Sequence, residues 1–98
     1  MSADSKQFSL HLIITGRVQG VWYRSWFMEK AINLGLSGWI RNLNNGSVEA
    51  VVSGLRENVE EMKKTSWSGP PLAKIENIDV GIYKGKTVNS GFRQLPTK

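Results

Sequence analysis

Residues 16–24 read Gly16-Arg17-Val18-Gln19-Gly20-Val21-Trp22-Tyr23-Arg24 and separate two segments of different periodicity. Before them, apolar side chains recur at every second position, at Phe8, Leu10, Leu12 and Ile14. This alternation predicts a strand packed on one face. After them, apolar residues recur at helical spacing from Trp22 to Leu34, and Gly35 is a typical helix stop. The sequence therefore predicts a strand, a glycine-rich loop and a helix.

The loop has the features of an anion site. Backbone N–H groups of such a loop and of the first helical turn have no intrahelical acceptor, so they can bind an oxyanion. Arg24 would add a planar, permanently charged guanidinium. The glycines also suit a tight strand-to-helix connection that binds nothing. From the residues alone, both interpretations stay open.

The remainder of the chain contains further strand and helix patterns. They predict strands over 36–42 and 47–53, a helix from 55 to about 67, and a strand containing Ile78, Val80 and Ile82. The first two of these strands are joined by Asn44-Asn45-Gly46, and Asn-Gly is a strong hairpin signal. A short last strand is predicted around Phe92.

The element order βαββαβ predicts an α/β (α+β) sandwich of the ferredoxin-like type, in which an antiparallel sheet carries both helices on one face. A chain of 98 residues suits a single domain, 1–98. Within it, 1–6 are predicted to be a disordered N-terminus and 96–98 a loose tail. Because this fold serves enzymes, RNA-binding modules and sensors, function has to be inferred from the site.

Composition limits the chemistry. Thirteen basic and eight acidic side chains give a net charge of +5, which favours anionic partners such as small phosphates or nucleic acid. The chain has no cysteine, and His11 is its only histidine, so we expect neither a metal nor a cofactor. The first residues are polar, and no apolar run approaches the roughly 20 residues that span a bilayer. We therefore expect a cytoplasmic protein without a membrane partner.

A second motif follows the first one. It reads Gly38-Trp39-Ile40-Arg41-Asn42-Leu43-Asn44-Asn45-Gly46-Ser47-Val48, with Gly54 closing the strand. Together the two motifs closely resemble the two signatures of the acylphosphatase family, at the separation that the family shows. Ile40 stands where a smaller Val or Ala is usual, and Leu43 stands where a polar residue can occur. The resemblance extends from the first strand to the Gly69-Pro70-Pro71 break.

The resemblance implies an enzyme that hydrolyses the carboxyl-phosphate bond of acyl phosphates to a carboxylate and inorganic phosphate without a metal ion. We expect no cofactor, and we expect a monomer because nothing in the sequence demands a larger assembly. Arg24 matches the family's phosphate-binding arginine, and Asn42 matches its water-orienting asparagine. The backbone cradle would be formed by the amides of Gly16, Arg17, Val18, Gln19, Gly20, Val21, Trp22 and Tyr23. The side chains of Arg17 and Gln19 are expected to point to solvent.

The residue chemistry agrees with this implication. An acyl phosphate has a good leaving group, so catalysis can rest on positioning and charge stabilisation without a strong acid. The carboxamide of Asn42 could hold a water molecule through its donor and acceptor ends, although Asn at this position could also simply initiate the hairpin. No His, Asp or Glu near either motif offers itself as a general base. We infer that the substrate's own phosphate takes the water's proton.

Two other functions fit the predicted fold. An RNA-binding module would need stacking aromatics on the open face of the sheet. The residues predicted there, His11, Ile13, Glu49, Val51 and Ser53, provide no aromatic platform, so nucleic acid is not expected as a partner. A non-catalytic phosphate-binding or anion-binding module, related to the acylphosphatase-like domain of hydrogenase maturation factors, would bind its ligand without turnover. A measurement of substrate turnover, rather than of binding, distinguishes that module from the enzyme.

Overall fold

The computed structural model describes residues 7–86 and 91–98. Its elements are β1 (Gln7–Arg17), α1 (Tyr23–Asn33), β2 (Ser37–Asn42), β3 (Val48–Leu55), α2 (Arg56–Thr65), β4 (Lys74–Ile82) and β5 (Phe92–Gln94). All the helices and strands expected from periodicity are present, with ends that differ by a few residues. The segment 1–6, for which a disordered N-terminus is expected, lies outside the described residues.

The five strands form one sheet in the order β4-β1-β3-β2-β5. β1 runs antiparallel to both β3 and β4, and β2 runs antiparallel to β3, as expected. β5 differs because it is parallel to β2, which makes the sheet mixed. β4 runs opposite to β1 and β2, so a reversal of direction between β4 and β5 leaves β5 parallel to β2. The ferredoxin-like arrangement of the other strands is confirmed.

Both helices contribute to one hydrophobic core on one face of the sheet. α1 lies over β2 and β5, and α2 lies over β3 and β1. Core side chains include Leu10, Leu12, Ile14, Ile40, Ala50 and Val52 from the strands and Tyr23, Phe27, Ala31, Val59 and Met62 from the helices. Phe27 meets Phe92 of β5 with 5.9 Å between ring centroids. The core thereby fixes the position of α1, whose first turn follows the glycine-rich loop.

The β4 edge of the sheet is only partly covered. Ile78 is buried, but Val80 and Ile82 on the same face of β4 are 46% and 60% exposed. Since α2 packs over β3 and β1, neither of the two described helices covers the outer part of β4. Period-2 alternation therefore predicts the strand correctly and does not predict how far its apolar face is covered.

The end of the chain is attached to the sheet. The Leu95 N–H donates to the Ile40 carbonyl at 2.8 Å, and the Lys98 N–H donates to the Asn42 carbonyl at 3.0 Å. The Asn44 N–H in turn donates to the Lys98 carbonyl at 3.0 Å. The sequence predicts a loose tail over 96–98, whereas the structure holds Lys98 against the hairpin turn. Backbone hydrogen bonds of this kind need no particular side chains, so side-chain patterns do not reveal them.

Candidate active site

A bulge at the end of β1 starts the site. The register between β1 and β4 shifts between Thr15 and Gly16, which pairs with Ile75. Gly16 has φ 130°, and a side chain there would collide with the Lys74 carbonyl oxygen. Only glycine fits this combination of backbone conformation and close approach. Because Gly16 and Arg17 belong to β1, the loop itself begins at Val18.

Side chains hold the loop in place and leave its backbone available. Val18 and Val21 are buried in the core. Within residues 7–86 and 91–98, the N–H groups of residues 18–22 donate to no backbone or side-chain acceptor. α1 then begins after Trp22, whose carbonyl accepts the first intrahelical bond from the Trp26 N–H at 3.1 Å. The loop and the first helical turn thus present a series of free donors.

A cavity of about 290 Å³ opens beside these donors. It is lined by Val18, Gly20, Trp22, Tyr23, Arg24 and Ser25. Arg24 is half-buried, and its guanidinium forms no hydrogen bond or salt bridge with any residue that the structure describes. Among the residues that the structure describes, no acidic side chain lines the cavity. A guanidinium without a carboxylate partner, next to free amides, suits an anionic ligand.

Tyr23 anchors the start of α1. Its hydroxyl donates to the Ser66 carbonyl at 2.8 Å, and its ring lies 5.5 Å from Trp26 and 6.0 Å from Phe27, centroid to centroid. Burial raises the pKa of the Tyr23 phenol far above its ordinary value, and the hydrogen bond to Ser66 offsets only part of that rise. The phenol therefore stays neutral and structural, and its hydrogen bond anchors the helical turn that also carries Arg24.

Asn42 ends β2 opposite Val48. Its side-chain oxygen, Oδ1, is buried and accepts no hydrogen bond from the described residues. A buried acceptor without a donor is unusual in folded proteins and is often found where a ligand or water binds. Asn42 does not line the cavity itself. It is the residue before Leu43, which contacts the glycine-rich loop.

Gln19 makes that contact. Its side-chain Nε2 donates to the Leu43 carbonyl and to the Ser47 carbonyl, each at 2.8 Å. The expectation that the Gln19 side chain points to solvent is therefore wrong. The half-buried side chain donates to two carbonyls of the β2–β3 turn, each of which also accepts a backbone N–H, and it thereby fastens the loop to the turn that follows Asn42.

The structure brings part of the predicted set together. Five predicted residues line the cavity, namely Val18, Gly20, Trp22, Tyr23 and Arg24, whereas Gly16, Arg17, Gln19, Val21 and Asn42 do not. Ser25 lines the cavity without having been predicted. Its place directly after Arg24, in the first turn of α1, is the signal that could have identified it. The side-chain role of Gln19 has no local signal, because both its acceptors lie in a distant turn.

The opposite face of the sheet carries a separate polar cluster. The Glu49 carboxylate accepts from His11 Nε2 and from Arg41 Nε, each at 2.7 Å. Burial alone would raise the pKa of Glu49, but these hydrogen bonds and the nearby positive charges lower it below its ordinary value. Trp39 lies on this face, with the Arg41 guanidinium 4.8 Å from its ring centroid. The aromatic ring is thus already stacked by a side chain of this protein.

In residues 7–86 and 91–98, no group of three or more His, Cys, Asp or Glu side chains is placed to hold a metal ion. In those same ranges, no helix has the length and apolar character needed to cross a membrane.

Comparison with known proteins identifies the family. A family model for acylphosphatase matches residues 10–94. The acylphosphatase of Rhizorhabdus wittichii is 48% identical over 84 residues, covering 86% of this chain and 84% of the relative. That of Azorhizobium caulinodans is 45% identical over 89 residues, covering 91% and 96%. The structure of an acylphosphatase from Coxiella burnetii superimposes with a TM-score of 0.87 at 32% identity, covering 97% of this chain and 100% of that one.

The fold and the cavity define a ferredoxin-like α/β domain with a glycine-rich loop between its first strand and first helix. The chain belongs to the acylphosphatase family. This confirms the resemblance carried by the two sequence motifs, and it makes the protein an enzyme of the acylphosphatase type.

Proposed function

We propose that this chain hydrolyses acyl phosphates to a carboxylate and inorganic phosphate through Arg24, Asn42 and the loop amides, without a metal ion. It would act as a monomeric cytoplasmic hydrolase on phosphorus-containing anhydrides. The observation that carries the proposal is the half-buried Arg24 guanidinium, which lines the cavity and pairs with no described residue. The free N–H groups of residues 18–22 support the same conclusion.

Arg24 and the loop amides would bind the phosphoryl group. Phosphoryl transfer spreads negative charge over three equatorial oxygens, and fixed N–H donors with one guanidinium can bind several of these oxygens at once. Val18 and Val21 hold the donors in place through the core, so little reorganisation would be needed during the reaction. The loop would therefore supply both binding and charge stabilisation.

Asn42 would orient the attacking water. Its buried Oδ1 is a free acceptor for a water O–H, and its amide group can donate as well. The water oxygen forms a bond to phosphorus while the bond between phosphorus and the carboxyl oxygen breaks. The carboxylate leaves with the electron pair of that bond. Since no His, Asp or Glu of the described residues lines the cavity, we infer that a phosphoryl oxygen of the substrate takes the water's proton.

The test is hydrolysis of benzoyl phosphate by the purified protein in EDTA, with phenyl phosphate as the monoester comparison. We expect rapid cleavage of benzoyl phosphate alone. Arg24→Ala should lose about 10²-fold or more in kcat/KM together with inhibition by phosphate, and Asn42→Ala should lose about as much, mainly in kcat. Arg93→Ala and Asn33→Ala, which remove exposed residues of the same types, should retain wild-type rates.

The outcomes separate the proposal from its alternative. Near-wild-type rates in folded Arg24→Ala and Asn42→Ala would show that these residues do not have the proposed roles. Phosphate binding by the wild-type protein without any turnover would instead identify a non-catalytic anion-binding module.

A further inference from the structure

Trp22 has an unusual position for a large apolar residue. Its side chain is 78% exposed, the highest value among the large hydrophobic residues that the structure describes. It nevertheless lines the cavity beside Arg24 and Gly20. Exposed single hydrophobic residues are common on protein surfaces, so exposure alone needs no explanation. Exposure at the rim of a charged cavity is a more specific arrangement.

The backbone at Trp22 also disfavours a bulky residue. Trp22 has φ 70° and ψ 17°, and no other non-glycine residue in the described ranges has a positive φ. Glycine or asparagine adopts this left-handed conformation at lower cost. Trp22 precedes α1 without providing a side-chain cap. Neither core packing nor helix capping therefore accounts for a tryptophan here, and strained residues of this kind cluster at ligand sites.

The cavity has two chemically distinct sides. Gly20, Arg24 and Ser25 provide an amide, a guanidinium and a hydroxyl, whereas the remaining lining residues are Val18, Trp22 and Tyr23. Val18 and Tyr23 are each 1% exposed, so Trp22 is the one of these three apolar residues with a largely accessible side chain. An acyl phosphate has the same two parts, an anionic phosphoryl group and an acyl group attached through oxygen.

We propose that Trp22 forms an acyl-group subsite that favours aromatic and extended apolar acyl phosphates over acetyl phosphate. The inference rests on the proposed function of the same cavity. With the phosphoryl group held by Arg24 and the loop amides, the acyl group extends towards the rim, where the indole offers a flat surface for stacking. Aromatic contact of this kind corresponds to a preference of about three- to tenfold.

The first test is the ratio of kcat/KM for benzoyl phosphate to kcat/KM for acetyl phosphate. Trp22→Gly should lower this ratio about three- to tenfold, while Trp22→Tyr should largely retain it. Glycine is chosen because it accepts the backbone conformation, so the variant should fold. Trp67→Ala removes another exposed tryptophan that does not line the cavity, and it should leave the ratio unchanged. Comparing ratios between variants cancels the intrinsic reactivity of the two substrates.

A second test measures binding without turnover. Calorimetric titration should show tighter binding of phenylphosphonate than of methylphosphonate to the wild-type protein, and Trp22→Gly should lose that difference. An unchanged substrate ratio in Trp22→Gly, or equal binding of the two phosphonates to the wild type, would overturn the subsite. A wild-type protein that hydrolyses neither substrate but prefers phenylphosphonate through Trp22 would retain the subsite and refute the proposed function.

Discussion

Gln19 joins two parts of the site that are distant in sequence. Its side-chain amide donates to carbonyls 24 and 28 residues further along the chain, at Leu43 and Ser47. Asn42 directly precedes this turn, and its carbonyl also accepts from the Lys98 N–H. One carboxamide therefore links the loop with its free amides to the turn that follows Asn42, whose buried side-chain acceptor is unpaired among the described residues. We infer that the Gln19 side chain positions the site without touching the substrate, whereas its backbone N–H belongs to the series of free loop donors.

Gln19→Ala should weaken both the fold and the reaction. Two hydrogen bonds would be lost, which is expected to cost about 1–3 kcal/mol in the free energy of unfolding, although the Leu43 and Ser47 carbonyls would still accept from the Gly46 and Leu43 N–H groups. Because Asn42 would be less well aligned, kcat for benzoyl phosphate should fall more than affinity for inorganic phosphate. Urea unfolding and steady-state kinetics measure the two effects.

Two further variants define what Gln19 contributes. Gln19→Glu should be worse than Gln19→Ala, because a carboxylate would face two carbonyl acceptors without a proton to donate. Gln7→Ala removes an exposed glutamine from the start of β1 and should change neither the free energy of unfolding nor kcat. A loss of stability in Gln19→Ala with kcat unchanged would limit Gln19 to a structural role.

At the scale of single elements, β1 has a bulge at Gly16 shortly before the loop begins. Gly16 and Gly20 both have positive φ, at 130° and 73°. They differ in their surroundings. A side chain on Gly16 would meet the Lys74 carbonyl oxygen, whereas one on Gly20 would meet nothing within 4 Å. A side chain at Gly20 would therefore test only the energetic cost of a positive φ, whereas one at Gly16 would add the cost of a clash with β4.

Gly20→Ala should lower the free energy of unfolding by about 1–2 kcal/mol, the cost of a left-handed conformation for alanine. Gly16→Ala should lower it by clearly more, because the clash with Lys74 adds to that cost. Urea unfolding compares the two variants, and amide hydrogen exchange should show faster exchange in β4 only for Gly16→Ala. Equal destabilisation by both substitutions would contradict this account of the bulge.

Periodicity predicts those elements whose side chains face one core. Alternation in β1 and the helical spacing of Phe27 and Ala31 are local signals, so the strand-loop-helix unit could be predicted from sequence. The direction of β5 and the attachment of Lys98 depend on backbone hydrogen bonds at a sheet edge. Such bonds have no side-chain signature, and so these features could not be predicted.

The features of the candidate site likewise fall into those with a local sequence signal and those without one. Arg24 and the loop were identified because they are contiguous in sequence and stand next to a helix start. The cavity itself, the contact of Gln19 with the hairpin and the unpaired oxygen of Asn42 are tertiary features. They arise when β1 and β2 are placed on either side of β3, an arrangement that residues near one motif do not specify.

At the scale of the whole molecule, Glu49 links the three central strands on the face opposite the helices. It lies on β3 and contacts His11 of β1 and Arg41 of β2. In a protein with a net charge of +5, this carboxylate lies between two basic groups and is only 16% exposed. Its lowered pKa means that the folded protein holds the Glu49 proton less tightly than the unfolded chain does. Ionised Glu49 therefore stabilises the fold.

Because the pKa of Glu49 is lower in the folded protein, the stability that Glu49 provides depends on pH. Stability from Glu49 is fully present above its ordinary pKa of about 4.5 and is lost as the pH falls through the lower folded value. The free energy of unfolding of Glu49→Gln should therefore be about 2 kcal/mol below that of the wild type at pH 7. This difference in stability, called the gap below, should narrow towards pH 3. Urea unfolding at several pH values measures it, with exposed Glu29→Gln as the control expected to show little gap. A gap that stays constant from pH 7 to pH 3 would mean that the carboxylate's charge contributes nothing, and that the cluster acts only through packing.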